Sequence, residues 1–225
     1  MRRCLLIAIL FCATVVCNAQ DAAVELRQNG SATIDGKIEE KEWEGARVLE
    51  LTGGGKLFLK YDGKHVYLAM RGGAYGWSHL YLSTAPGEIS VIHASAALGR
   101  VIYKPTANKV WQPQNEFVYE VRDRVITDAT RTSMNAYLAK NGWVASNNNM
   151  GNRNEVEYKF AASPDRPIRF AAVFMSDATK PQHFPATLSD DTLRQKLLEG
   201  NAVRDIKFDS TQWSRLTLLP AGPAR

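Results

Sequence analysis

Tyr75 and Trp77 stand in a glycine-rich run, Gly72-Gly73-Ala74-Tyr75-Gly76-Trp77. Trp111 stands near Gln112, Gln114 and Asn115 in a polar stretch broken by Pro113. Trp143 opens a segment running into Asn147-Asn148-Asn149. Aromatic rings beside side-chain amides are what a sugar requires: its C–H faces stack on rings and its hydroxyls need convergent hydrogen bonds. A ring in a glycine-rich loop is often displayed to solvent. The candidate carbohydrate-binding residues are therefore Tyr75, Trp77, Trp111, Gln114 and Trp143. Packing against the core is the alternative duty of the same rings.

Two other groupings suggest catalysis. His93 and Ser95 are two apart, so on a strand they share a face, as a base and a nucleophile would. The nucleophile-elbow spacing Gly-x-Ser-x-Gly is absent and no third group is evident, so ordinary strand-end packing is the better expectation. Glu155 and Glu157 also share a strand face, about 7 Å apart by strand rise. That spacing could serve paired acids in glycoside cleavage, but a solvated sheet face is the simpler reading. No catalytic residue is assigned, and a glycoside hydrolase is kept only as a weak alternative.

The N-terminus places the chain in a compartment. Arg2 and Arg3 precede an uncharged run from Cys4 to Val16, and Cys17-Asn18-Ala19 supplies small residues. This is the pattern of a secretory signal over 1–19, cut after Ala19, and it is too short to span a membrane comfortably. Processing at Cys17 as a lipoprotein is the variant left open. Cys4, Cys12 and Cys17 all lie in this segment, so a mature chain has no disulfide framework and no thiolate site. Losing Arg2 and Arg3 takes Lys and Arg from 28 to 26 against 23 acidic residues, and the net charge from +5 to +3. No basic block interleaves with aromatics, which argues against nucleic acid. The expectation is one secreted or periplasmic domain over 20–219, without a membrane span, and a disordered tail over 220–225.

The elements that must position these side chains read mostly in period two. Leu57, Leu59 and Tyr61 alternate with polar or opposite-face partners. Asp62-Gly63-Lys64 signals a tight turn, and Val66, Leu68 and Met70 return. Leu80 and Leu82, Ile89 to Ile92, Val101 to Tyr103, Phe117 to Val121, and Val156 to Phe160 continue the pattern. Ile168 to Met175 is nearly all apolar, as a central strand buried on both faces would be, and Trp213 to Leu219 closes the set. Helical signals are confined to Thr130 to Lys140, with Met134, Tyr137 and Leu138 inward, and to Asp190 to Glu199. The composition of elements predicts an all-β, antiparallel two-sheet sandwich of jelly-roll or immunoglobulin-like type, with two or three short helices.

One polar stretch holds a large ring: Ile34-Asp35-Gly36-Lys37-Ile38-Glu39-Glu40-Lys41-Glu42-Trp43-Glu44-Gly45-Ala46. A short helical turn over 40–46 would point Trp43 into the sandwich and leave the charges wet. Burying an indole is worth about 2–3 kcal/mol, enough to pin such a loop. The same stretch, TIDGKIEEKEWEGA, followed by LFLKYDGKHVYLAMR, resembles the start of carbohydrate-binding module family 9-like domains, part of the DOMON-like group. The resemblance covers Thr33 to Arg71 and extends to NEVEYKFA and WSRLTLL. It implies a β-sandwich and a non-catalytic carbohydrate-binding role, with Trp43 and Tyr67 as framework rather than sugar contacts.

The resemblance also raises two cofactors. Some DOMON-like relatives hold haem through Met and His, but His65 and Met70 fall on opposite strand faces; His183 with Met70 or Met150 is the pair left open. Calcium at loop carboxylates such as Asp177, Asp190 and Asp191 is left open too, without EF-hand spacing. The expectation is a protein without a cofactor, with a carbohydrate ligand and, as a second class of partner, another secreted or cell-envelope protein. A scaffold sandwich without sugar binding and a haem-binding redox domain are the competing readings.

Overall fold

The structure, a computed structural model, describes residues 23–95, 97–108, 110–120, 127–147, 154–176, 178–188 and 204–222, with the backbone alone over 117–120. The expected signal segment, the helix over Asp190 to Glu199 and the end of the expected tail lie outside the described residues.

The strands follow the period-two pattern. They are β1 (Val24–Arg27), β2 (Arg47–Glu50), β3 (Lys56–Tyr61), β4 (His65–Arg71), β5 (Trp77–Ala85), β6 (Glu88–Ala94), β7 (Ala97–Pro105), β8 (Trp111–Glu120), β9 (Trp143–Asn147), β10 (Glu155–Ala161), β11 (Ile168–Ser176), β12 (Thr179–Phe184) and β13 (Ser214–Leu219). One sheet, A, runs β1-β13-β11-β5-β6-β7-β8, with β12 also on β11; the other, B, runs β2-β3-β4-β10-β9. Two sheets face to face make the expected sandwich. Its pairs are antiparallel except β1 with β13, which is parallel, a departure from the all-antiparallel expectation. Trp111 and Gln114 belong to β8 rather than to a loop.

The turn at Asp62-Gly63 shows how the local chemistry works. Gly63 takes φ +98°, a region that costs glycine nothing. Asp62 Oδ1 accepts from the N–H groups of Lys64 at 2.8 Å and His65 at 2.7 Å, and Tyr67 Oη donates to Oδ2 at 2.7 Å. Burial works against the charge, but these bonds win and hold the carboxyl down to about 2.

The main core lies between the sheets. Leu57, Leu59, Val66, Leu68, Met70, Val156, Tyr158 and Phe160 come from B, and Leu80, Leu82, Ile92, Phe170, Phe174, Leu216 and Leu218 from A. A buried bond of 2.5 Å joins Ser78 Oγ and Tyr158 Oη across the gap. Sheet A carries a second apolar layer on its other face: Tyr81, Val91, Tyr103 and Val173 pack under Leu188, Ile206, Phe208 and Trp213.

Sheet B is covered on its outer face as well. Helix α1 (Asp128–Ala139) lies against β9, capped by Thr127, whose Oγ accepts from Thr130 N–H, and buries Met134 and Leu138. Tyr137, expected inward, is 47% exposed. It falls off the Met134–Leu138 stripe because that pair, four apart, already defines the buried face. Beside α1, the acidic segment forms the helical turn expected of it: Trp43 N–H donates to Glu39 O at 3.0 Å and Ala46 N–H to Trp43 O at 3.1 Å. Trp43 is 4% exposed and its ring sits 6.2 Å from Phe58. It is a plug, and it closes the outer face of sheet B rather than the gap between the sheets. Replacing Trp43 with Ala therefore lowers stability by about 3–5 kcal/mol. Trp43→Phe keeps the ring, loses the indole donor, and costs less. Denaturant unfolding of the three proteins checks both the sign and the order.

Candidate functional site

The glycine-rich loop is held rather than loose. Gly72 N–H donates to Asn154 O, and Asn154 Nδ2 returns a bond to Gly72 O, each at 2.8 Å. Gln182, 2% exposed, accepts from Gly73 N–H through Oε1 and donates through Nε2 to Gly53 O, both at 2.9 Å. One buried amide thus ties two surface loops together. The glycines answer to close approach: a Cβ on Gly72 would lie 2.2 Å from the Phe174 ring, and one on Gly76 would lie 1.9 Å from Met175 O. On this clamped base Tyr75 is 61% exposed. Trp77, half-buried, begins β5 opposite Met175 on β11.

The other expected contacts lie elsewhere. Register carries the level of Ser78 across sheet A to Ala94, Leu98 and then Tyr119 on β8. Trp111 is eight residues short of Tyr119, about 26 Å along the strand. The Tyr75–Trp77 end and the Trp111 end are thus opposite ends of the sheet and cannot form one contact surface. Trp111 is half-buried, with its ring 5.9 Å from Phe208. Its backbone exchanges bonds with Ile206 at 2.7 and 3.2 Å, and Gln112 Nε2 donates to Asp205 Oδ1. Gln114 is exposed, at a register shift where it has no residue opposite. Trp143 is 2% exposed and belongs to the core of the sandwich. A ring so placed cannot stack on a sugar, so Trp143 is corrected from candidate contact to core. Its lead into an asparagine run suggested a loop edge; its pairing with Phe160 across β9 and β10 puts it inside.

The paired glutamates are not on a solvated face. Glu155 is 7% exposed and Glu157 is fully buried, because the 34–46 segment lies over them. Glu157 Oε2 accepts from Asp35 N–H at 3.0 Å and Gly36 N–H at 2.7 Å, and Oε1 accepts from Trp43 Nε1 at 2.9 Å. Glu155 Oε2 accepts from Ile38 N–H at 3.0 Å, and Oε1 pairs with Arg71 Nε at 2.8 Å. Arg71 in turn donates to Ile38 O at 3.0 Å. Burial pushes the Glu157 carboxyl up to about 8, although the N–H donors of Gly36, Trp43 and Asp35 pull the other way. Such a shift suits a general acid, but the oxygens are spent on the chain itself and no substrate reaches them. The pair fastens the cover.

His93 and Ser95 do meet. His93 Nε2 is 2.7 Å from Ser95 Oγ, which also donates to Ala97 O at 3.2 Å and accepts from Ala97 N–H at 3.1 Å. The hydroxyl serves a strand-end turn, and His93 is 8% exposed beside buried His79. The described residues raised for haem have other surroundings. His65 Nδ1 faces Asp62 at 3.4 Å, Met70 is fully buried in the core, and His183 Nδ1 bonds Pro185 O at 3.0 Å. Among the described residues no three His, Cys, Asp or Glu side chains gather. Met150, Asp177, Asp190 and Asp191 lie outside them.

No family model matches the sequence, and no curated protein matches it. Among solved structures the chain is similar to a carbohydrate binding module family 9 from Caldicellulosiruptor kristjanssonii. In its complex with glucose the identity is 12%, the TM-score 0.43, and the match covers 90% of this chain and 98% of that one. In its complex with cellotriose the identity is 12%, the TM-score 0.42, and the coverage 89% and 95%. A candidate carbohydrate-binding protein from Bacteroides uniformis is similar at 8% identity and TM-score 0.45, over 88% of this chain and 99% of its own. These are likenesses of strand arrangement, and the sugars named belong to those proteins.

Two outcomes follow from the buried groups. In the fold Glu157 keeps its proton up to about pH 8 instead of 4.5, so rising pH across that window destabilises. Burial lowers His79 and His93 from 6.5, with His93 at about 4, so falling pH below 6.5 destabilises. Between 4.5 and 6.5 the two histidines outweigh the one carboxyl by a net proton, about 1.4 kcal/mol per pH unit. Above 6.5 the carboxyl acts alone with opposite sign. Urea unfolding at about pH 5, 6.5 and 8 should show maximal stability near 6.5. Glu157→Gln flattens the alkaline limb and His93→Gln the acid one. Separately, Gly76→Ala drives a methyl into Met175 O and costs more than about 3 kcal/mol, visible as a fallen melting temperature.

Proposed function

We propose that this protein is a non-catalytic carbohydrate-binding sandwich of an extracytoplasmic compartment, and that it grips sugar at the Tyr75–Trp77 end of sheet A. The observation that carries the reading is Tyr75 itself, 61% exposed on a loop whose base is clamped by Gln182 and Asn154. A displayed ring normally loses side-chain freedom on binding; a ring on a preordered loop loses less, which is how stacking sites gain affinity. Trp77 adds a second, half-buried ring two residues on. The resemblance of the Thr33 to Arg71 segment to family 9-like modules points to the same ligand class. The Trp111 and Gln114 end is a separate surface and is not part of this grip.

No acid or nucleophile described here is both activated and accessible. Glu157 is sealed, and Ser95 serves its own turn. This favours binding over hydrolysis.

A glycan array followed by calorimetry on the purified protein tests the reading. Tyr75→Ala and Trp77→Ala should each weaken binding about tenfold, equivalent to about 1.4 kcal/mol, with unchanged melting temperature for Tyr75→Ala. Trp111→Ala should leave affinity unchanged. Saturable binding lost in Trp111→Ala but kept in Tyr75→Ala would move the site to the other end. Absence of binding to any glycan would favour a scaffold that docks another cell-envelope protein.

A further inference from the structure

Two histidines meet on the outer face of sheet A. His79 on β5 and His93 on β6 are directly opposed. They are 2% and 8% exposed, with ring centroids 4.9 Å apart and planes at 58°. Neither ring has an ion pair with a carboxylate among the described residues, and the neutral imidazole is the form that binds metal.

The hydrogen bonds single out one nitrogen. Ser95 Oγ has one proton and two acceptors in reach, Ala97 O at 3.2 Å and His93 Nε2 at 2.7 Å. In the tautomer with the ring proton on Nε2, His93 donates to that oxygen and its Nδ1 keeps a lone pair. Nδ1 is buried without a hydrogen-bond partner. A buried acceptor with no donor asks for an explanation. Fixing one ring nitrogen by a hydrogen bond so that the other can ligate is the usual arrangement at metal-bound histidine.

The spacing of the rings agrees. A ligating imidazole nitrogen sits about 2.0 Å from a metal, and its ring centroid about 1.2 Å further. Two such rings at an angle of about 100° have centroids about 5 Å apart, against the 4.9 Å observed. A third donor is near. Val173 opposes His79 on β11, and Met175, two residues on, shares that face on the diagonal, within reach of a long side chain. Two neutral imidazoles and a thioether, with no balancing acid, suit a soft monovalent ion better than a divalent one.

We propose that His79, His93 and Met175 form a binding site for copper(I). The site does not rest on the sugar-binding reading: Met175 lies opposite Trp77, but the test substitutes neither Tyr75 nor Trp77.

The test is a competition of the purified protein, thiols alkylated, against a chromophoric copper(I) chelator. One equivalent should be bound. His79→Gln and His93→Gln should each weaken it about 100-fold, and Met175→Leu, which conserves volume, about tenfold. In the unsubstituted protein, silver(I) used as a redox-inert stand-in should shift the imidazole nitrogen resonances of His79 and His93. That measurement decides the matter even if the histidine variants fail to fold. The proposal is overturned by failure to compete for copper(I), by binding that survives both histidine substitutions, or by shifts confined to His65 and His183. Zinc(II) binding with equal strength at the same rings would overturn the choice of ion.

Discussion

The buried carboxyl group of Glu157 is the interaction on which the architecture turns. It sits mid-strand on β10, on the face of sheet B that a two-layer sandwich would leave wet. Backbone donors from Asp35 and Gly36 and the indole of Trp43 converge on it. Glu155 and Arg71 hold the next stretch through Ile38. Without these anchors the 34–46 segment has little reason to lie flat, since most of its side chains are charged. With them it lays Trp43 against Phe58, and Ile34 receives a further bond from Asn135 on α1 at 2.8 Å. The cover and the helix hold each other, and sheet B becomes an interior layer.

Sheet A is treated differently. Its outer face is covered by apolar packing, with Phe208 touching Tyr81, Tyr103, Trp111 and Trp213 at ring separations of 5.2 to 6.1 Å. One sheet is thus sealed by buried polar bonds and the other by aromatics. The histidine pair adjoins the aromatic layer through Tyr81, whose ring is 6.2 Å from that of His79. Candidate ligand contact is left to the ends of the sheet, where loops such as 72–76 emerge.

Much of this was legible in the sequence. Period-two alternation placed the strands because each face of a strand answers to one environment, and β11 read correctly as buried on both faces. Trp43 read as a plug because a single ring among charges has few other uses. The paired glutamates were misread for a physical reason. Glu155 and Glu157 alternate with Val156 and Tyr158 just as solvated residues would, and only a segment more than a hundred positions earlier makes them interior. Trp143 was misread the same way, from its polar neighbours in sequence rather than its partner Phe160 in space. The separation of Tyr75 from Trp111 depends on the register of four strands, which local pattern does not carry.

The parallel pairing of β1 with β13 has a consequence for how the molecule comes together. Val24 lies beside Leu216, so this contact closes a loop of nearly the whole described chain. Contacts of such sequence separation form late and slowly, because so much chain must be ordered before they reward it. The hairpins β3–β4, β5–β6 and β6–β7 need no such closure. Until β13 arrives, β11 keeps an unpaired edge over Ile168–Phe170, open to another chain. Assembly therefore ends where it is most exposed to error, and a companion that shields this edge during synthesis would act on yield rather than on the stability of the finished fold.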